Sequence, residues 1–489
     1  MLTSSLLLGG LAGLAAAQFP PKPEGVTVLK SKFHENVTIS FKEPGICETT
    51  PGVRSYAGHV HLPPGFLDDV NGEKQDYPVN TFFWFFEARR DPANAPLAIW
   101  LNGGPGGSSL MGLLQENGPC FVADDSRTTV LNPWSWNNEV NMLYIDEPNQ
   151  VGLSYDTPTN ATLFMGRGAE DPRVVPTDFA GEAPRLNLTT RAGTVSSQEA
   201  SHTTNSTAQA AHALWHFAQT FFVEFPHYRP GDDRISLWAE SYGGHYGPGF
   251  MRFFQQQNER IANGTAEAGG AHYLHLDTLG IVNGLLDAVI QEEAYIKFPY
   301  NNTYGIQVFS RSVYEELMHN FTRPGGCREQ MLRCQETLRG FDVATANRNA
   351  ASRRPDDCGI EPACQSRAIQ LYREHDVGWF DIGHPQADAF PPPHMHGYMA
   401  DGAVLGALGS PVNFTAASRV VGRNFAATHD EVRGGFLDAV ADLLDAGVKV
   451  HMMYGDRDYA CNWLGGELAS LAVPYSRAAA FAAAGYAPL

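Results

Sequence analysis

Ala239-Glu240-Ser241-Tyr242-Gly243 sets a serine among small residues, after the apolar run Ile235–Glu240 and before a segment that turns helical near 247–250. Strand, sharp turn and helix are the context in which a serine hydroxyl is held out from a sheet as a nucleophile. The pattern asks for Gly-x-Ser-x-Gly, and Ala239 at its first position is still small. Taken alone, these residues also describe an ordinary serine in a strand–helix turn. A second segment adds to the chemical reading. Asn102-Gly103-Gly104-Pro105-Gly106-Gly107-Ser108-Ser109 follows the apolar Leu97–Leu101. Glycines let backbone N–H groups approach a ligand unobstructed. Beside a nucleophile, such a loop gives one oxyanion-hole amide and the residue after the serine, Tyr242, gives the other. A phosphate cradle is the competing reading, but no Lys-Ser/Thr pair follows the glycines. Lastly, Asp456 and Asp458 come just after the apolar stretch 448–454. An acid there can orient a histidine; either aspartate can also be a plain turn residue.

These groups need a scaffold. Residues 79–101 predict two buried strands joined by a polar turn, and 140–145 another. Residues 235–240, 276–282 and 448–454 predict further strands. Leu214, Phe217, Ala218 and Phe221 repeat at helical spacing within 208–225, and 436–444 predict a second helix. Strands alternating with helices imply an α/β fold with a mostly parallel sheet. Residues 18–55 read as an extended N-terminal arm. Residues 157–206, rich in Thr, Pro, Gly and Asn, read as a solvated insertion. Residues 290–400 hold four cysteines and little strand pattern, and read as a cap inserted between core segments 18–289 and 401–489.

The chain has 489 residues, with 34 Lys and Arg against 53 Asp and Glu, a formal charge of −19. That acidity argues against a nucleic-acid or anionic-membrane surface. Residues 5–17 are apolar and small and end in Ala15-Ala16-Ala17, which fits a cleaved signal peptide over 1–17 despite an n-region without Lys or Arg. No later apolar run reaches membrane-span length. Eight Asn-x-Ser/Thr sequons, at Asn36, Asn160, Asn187, Asn205, Asn263, Asn301, Asn320 and Asn413, fit export and glycosylation. In an oxidising compartment the seven cysteines should pair and leave one over. A zinc site is disfavoured, since no CxxC spacing occurs. His394-x-His396 reads as histidines in a proline-rich loop rather than a metal site.

Together the motifs resemble the serine carboxypeptidases of the α/β-hydrolase fold, most nearly the fungal secreted S1-like branch. The matching pieces are Trp84–Arg89, Trp100–Gly106, Asn132–Asn137, Asp146-Glu147-Pro148 with Val151–Tyr155, Glu240–Tyr246 and Cys461–Gly465. The resemblance implies Ser241 as nucleophile, Asp458 as triad acid with Asp456 as fallback, and Gly104 and Tyr242 as oxyanion-hole amides. It implies that Asn102, Gly103, Glu116 and Glu240 bind the substrate carboxylate, the two glutamates sharing a proton. Two carboxyls held close cannot both ionise cheaply, so one stays protonated and donates. That leads to activity at acidic pH. By itself Glu116 reads as a solvated helix residue. The resemblance further implies Cys461 as a free thiol by the substrate pocket, nested bridges Cys327–Cys364 and Cys334–Cys358, and Cys47–Cys120 as the remaining pair. The substrate would be a peptide or protein C-terminus, with no cofactor or metal.

One family element is missing. The family places its triad histidine in a Gly-His-x-Val-Pro segment beyond the acid, but the 31 residues after Asp458 contain no histidine. Without a general base a serine is a weak nucleophile. The sequence therefore leaves two expectations: an active carboxypeptidase whose sequence is truncated here, or an inactive homologue. An esterase or lipase on the same fold would use Ser241 and Asp458 but not Glu116 and Glu240.

Overall fold

Val79–Phe86 reads Val-Asn-Thr-Phe-Phe-Trp-Phe-Phe, and each of its residues is buried. Side chains alternate across a strand, so such a run needs a core on both faces. It has them. Phe83 and Phe85 join one cluster with Leu97, Ile99, Leu143, Ile235 and Leu237. Phe82, Trp84 and Phe86 join another with Ala98, Trp100, Met142 and Tyr144. The computed structural model describes residues 19–68, 74–164, 172–179, 187, 189–265, 271–339, 358–387 and 391–487, so the segment 1–17, read above as a signal peptide, lies outside it.

The strands are β1 (Thr27–Lys30), β2 (Thr38–Lys42), β3 (Ser55–Leu62), β4 (Val79–Phe86), β5 (Leu97–Leu101), β6 (Cys120–Val122), β7 (Thr129–Leu131), β8 (Asn141–Ile145), β9 (Thr159–Phe164), β10 (Arg173–Pro176), β11 (Thr190–Val195), β12 (Arg234–Glu240), β13 (His275–Val282) and β14 (Lys449–Met453). Nine of them form the central sheet in the order β1-β2-β3-β4-β8-β5-β12-β13-β14. The sheet is mixed. From β8 through β14 every pairing is parallel, while β1, β2, β3, β4 and β8 form an antiparallel run. The mostly parallel expectation thus describes the half that follows β8. The N-terminal arm is not merely extended: its β1–β2 hairpin adds two strands to the antiparallel end.

Helices Thr207–Glu224, Gly243–Ala262 and Phe436–Asp445 cover one face through Leu214, Phe217, Phe221, Phe250, Phe254, Val440 and Leu443. The first is capped by the Ser206 side chain, which accepts from the Gln209 amide. The short helix Leu110–Gln115 and residues 395–412 contribute to the other face.

The segment 157–206 departs from the reading as a solvated insertion. It holds β9, β10 and β11, an antiparallel sheet in the order β10-β9-β11, with Ala161, Leu163 and Val195 buried in its small core. Its apolar alternation is too brief to stand out from the polar residues around it. Residues 290–400 carry helices Arg311–Thr322, Cys327–Arg339 and Pro362–Arg373, packed around Phe298, Phe309, Phe321 and Tyr372. Disulfides join Cys327 to Cys364 and Cys334 to Cys358, and Cys47–Cys120 ties the N-terminal region to β6. Cys461 keeps a free, buried thiol. His394 and His396 lie in a short helix, His394–Met399, rather than a loop. Among the described residues no helix is long and apolar enough to cross a membrane.

Candidate active site

β5, β12, β13 and β14 run parallel and in register, with Leu101 beside Ala239, Glu240 beside Val282, and Val282 beside Met453. The residues after these strands therefore emerge on one edge of the sheet, where open parallel sheets bind ligands. Asn102, Ser241, Asn283 and Asp458 all arrive there.

Ser241 has φ +60°, a left-handed conformation that costs a non-glycine residue of order 1–3 kcal/mol and persists only where its surroundings enforce it. Here they do. The Ser241 amide donates to Val282 O at 3.0 Å, and its carbonyl accepts from Gly244 N at 3.0 Å and Leu285 N at 2.8 Å. A Cβ on Gly243 would stand 2.7 Å from the Ala239 Cβ. The turn thus tolerates alanine at 239 only because 243 is glycine.

The glycine loop lies directly against this turn. A Cβ on Gly103 would come within 2.3 Å of Tyr242 N and 2.5 Å of Glu240 O. At the loop's far end the buried Asp146 carboxylate accepts from Ser108 Oγ at 2.6 Å, Ser109 N at 3.0 Å and Leu153 N at 2.8 Å. Burial pushes its pKa up to about 6 despite those bonds. The Asp-Glu-Pro segment after β8 is thereby the anchor of the loop after β5.

Asn102 is oriented by its neighbours. Its Oδ1 accepts from Trp100 Nε1 at 2.8 Å and Gly112 N at 3.0 Å, which turns Nδ2 toward Glu240 Oε2 at 2.5 Å. Glu116, at the C-terminal end of the helix Leu110–Gln115, shares a hydrogen bond with Glu240. Glu116 is itself exposed, although its carboxyl is set among protein atoms beside Glu240. Burial raises its pKa. Burial, then the Glu116 charge and hydrogen bond, then Asp458, hold Glu240 well above the usual carboxylate range. Burial and the closeness of the two carboxyls together favour keeping one proton on the pair.

Asp458 is buried and accepts from Ala460 N at 2.8 Å, Cys461 N at 2.9 Å and Asn283 Nδ2 at 2.8 Å. Burial, partly offset by these bonds, pushes its pKa up to about 6. Asp456 points away, accepting from the exposed Tyr304 hydroxyl. The Ser241 hydroxyl is a hydrogen-bond partner of the Cys461 thiol, whose pKa burial and the Asp458 charge nevertheless drive up. No histidine bonds to Ser241 or Asp458 among the described residues. His245 is turned away, its ring nitrogens set against the carbonyls of Leu285 and Glu431. His451 lies in β14 and stacks on Trp238.

Several groups at this edge were not foreseen. Asn283 bridges β13 to Asp458; an Asn-Gly after a strand was its only signal. Glu292 and Glu431 face Tyr295, which also lies beside Cys461. Burial puts the Glu292 pKa well above its ordinary value and raises that of Glu431, which still meets solvent. They come from distant stretches, and no local pattern marks either one.

The family model described as serine carboxypeptidase matches residues 44–487. This chain belongs to the serine carboxypeptidase family. It is 49% identical over 486 residues to carboxypeptidase S1 homolog A of Trichophyton verrucosum, covering 97% of this chain and 72% of that protein. It is 33% identical to carboxypeptidase S1 of Penicillium janthinellum, over 91% of this chain and 87% of that one. The Kex1 prohormone-processing carboxypeptidase of Saccharomyces cerevisiae superposes with a TM-score of 0.56 at 20% identity, covering 86% of this chain and 77% of that one. This last likeness is one of fold, the α/β-hydrolase fold. In this serine carboxypeptidase the Ser241 turn, the Asn102–Ser109 loop, the paired glutamates and Asp458 meet at one edge of the sheet.

Proposed function

We propose that this serine carboxypeptidase releases C-terminal amino acids from peptides through an acyl-enzyme, with its best activity at acidic pH. Ser241 Oγ attacks the last peptide carbonyl. The Gly104 and Tyr242 amides take the developing oxyanion, the amino acid leaves, and water resolves the ester. Asn102, Gly103, Glu116 and Glu240 hold the substrate's terminal carboxylate. The observation that carries the reading is the hydrogen-bonded Glu116–Glu240 pair, one member of which directly precedes Ser241. An esterase or lipase has no use for it. The pair serves while it keeps a proton and turns repulsive to a carboxylate once that proton is lost. Activity should therefore fade as pH rises through the raised pKa of Glu240.

Glu292 and Glu431 stand by Tyr295, which lies beside Cys461; neutral at acidic pH because burial raises both pKa values, they favour a cationic substrate side chain only as they ionise at higher pH. The disulfides and sequons favour a secreted or vacuolar glycoprotein. Asn36, Asn160, Asn187, Asn263, Asn301 and Asn320 are exposed, whereas Asn205 and Asn413 are half-buried and poorer acceptors.

The test is fluorophosphonate labelling of Ser241 together with release of free amino acids from blocked dipeptides. Labelling and release, both lost in Ser241→Ala, are the expected result. Among the described residues no histidine contacts Ser241 or Asp458, and a homologue that binds peptide carboxylates without turnover is the second reading. Binding of a blocked dipeptide by folded protein that neither labels nor cleaves would establish it instead.

A further inference from the structure

Tyr242 offers its backbone amide to the glycine loop, while its side chain runs the other way into the core. The ring is buried and packs on His245, Tyr246 and Phe425, with centroids 4.6, 5.3 and 5.9 Å away. Its hydroxyl donates to Asp430 Oδ2 at 2.8 Å. Asp430 is only 1% exposed and comes from the stretch between helices Arg419–Ala427 and Phe436–Asp445. The same Oδ2 accepts from the Thr207 hydroxyl at 2.6 Å and the Thr207 amide at 3.2 Å, at the first residue of the helix Thr207–Glu224. Its other oxygen faces Arg433 Nε at 3.7 Å, an ion pair rather than a hydrogen bond. A helix N-terminus and a guanidinium both favour a carboxylate there.

We propose that Asp430 is a positioning residue for the oxyanion hole, holding the Tyr242 side chain so that the Tyr242 amide stays aimed beside Gly104. The inference rests on Tyr242 being an oxyanion donor, as proposed above. The reason is geometric. Tyr242 starts the helix Gly243–Ala262 with φ −57° and ψ −12°, and a Gly103 Cβ would lie 2.3 Å from its nitrogen. There is little slack at the loop side. A ring freed at its far end lets the amide tilt away, and a donor helps only when it is fixed before charge develops. Asp430 touches no reacting atom and acts through the Tyr242 ring.

The experiment compares Asp430→Asn, Tyr242→Phe and the double variant in the full chain, with Thr207→Val as a milder change on the far side of Asp430. Three quantities are read: the fluorophosphonate labelling rate, the affinity for a blocked dipeptide, and amide hydrogen exchange over 238–246. Each single variant should slow labelling about tenfold, less than the 10²–10³ of deleting a donor outright. Dipeptide affinity should stay within about twofold, because the carboxylate clamp does not pass through Asp430. The double variant should be no worse than either single one, since both cut the same link. Exchange over 238–246 should quicken in each, and Thr207→Val should follow in smaller measure. Labelling within twofold of wild type in Asp430→Asn overturns the proposal, as do additive losses or an equal loss of dipeptide affinity. If the wild-type chain binds dipeptide but does not label, it is the catalytic reading that fails. Hydrogen exchange then decides on its own: equal, non-additive quickening in Asp430→Asn and Tyr242→Phe upholds the anchor, and unchanged exchange removes it.

Discussion

Glu116 shows how differently one residue reads in a chain and in a fold. In the chain it is an acidic residue ending a short helix, the profile of a solvated side chain. In the fold it shares a hydrogen bond with Glu240, 124 positions away. A prediction follows from the proton they share. Glu116→Gln and Glu240→Gln replace a titrating donor with a permanent one. For peptide substrates the rise of KM with pH should flatten in both variants, while hydrolysis of C-terminally amidated ester substrates should not change. Steady-state kinetics between pH 4 and 8 checks this, and equal losses on both substrate types would count against the clamp. Glu431 permits a second test. At pH above the raised pKa of Glu431, Glu431→Gln should lower kcat/KM for substrates with Lys or Arg next to the cleaved bond by about tenfold, on the 1–3 kcal/mol scale of a charge-assisted contact, and at acidic pH it should change little. Neutral substrates should change little.

The elements that hold these residues depend on close backbone approaches. Gly152 has φ +59°, and a Cβ there would lie 1.9 Å from Asp146 Oδ2, the carboxylate that anchors the glycine loop. Gly152→Ala should cost about 2 kcal/mol or more, from left-handed strain together with overpacking. It should also slow labelling, since the glycine loop shifts with Asp146. Thermal melting and labelling rate measure the two effects. The strands and helices of this half were legible in the sequence because their apolar signal is strong: β4, β5 and β8 are buried apolar runs, β12 alternates, and the helix Thr207–Glu224 repeats at helical spacing. The sheet in 157–206 was not. Its strands bury only a few small residues against one another, so composition outweighed pattern.

For the molecule as a whole, the buried acids set a pH dependence of stability. Asp146 and Asp458 have folded pKa values of about 6 against 3.8 when free, and Glu147, Glu240 and Glu292 are raised further. A carboxyl raised on folding prefers its proton in the folded state. Its stabilising contribution is complete below the unfolded value and is lost as pH climbs through the folded one. Each such difference corresponds to roughly 3 kcal/mol, offset in part below about pH 6.5 by the buried His59 and His61, whose pKa values burial lowers. The melting temperature should accordingly fall by several degrees between pH 4.5 and 8, as calorimetry can test; a flat or rising profile would contradict the burial of these groups. The amino-acid sequence by itself determined the turn that strains Ser241, the glycine loop and the strand pattern, because these are local: small residues, apolar periodicity and turn chemistry act over a few neighbours. Only the tertiary structure showed that Asp456 accepts from Tyr304 while Asp458 accepts from Asn283, that Glu116 and Glu240 share a hydrogen bond, and that Asp430 accepts from the Tyr242 hydroxyl. Those outcomes depend on burial and on distances between residues far apart in the chain, and nothing in their neighbours' types encodes either quantity.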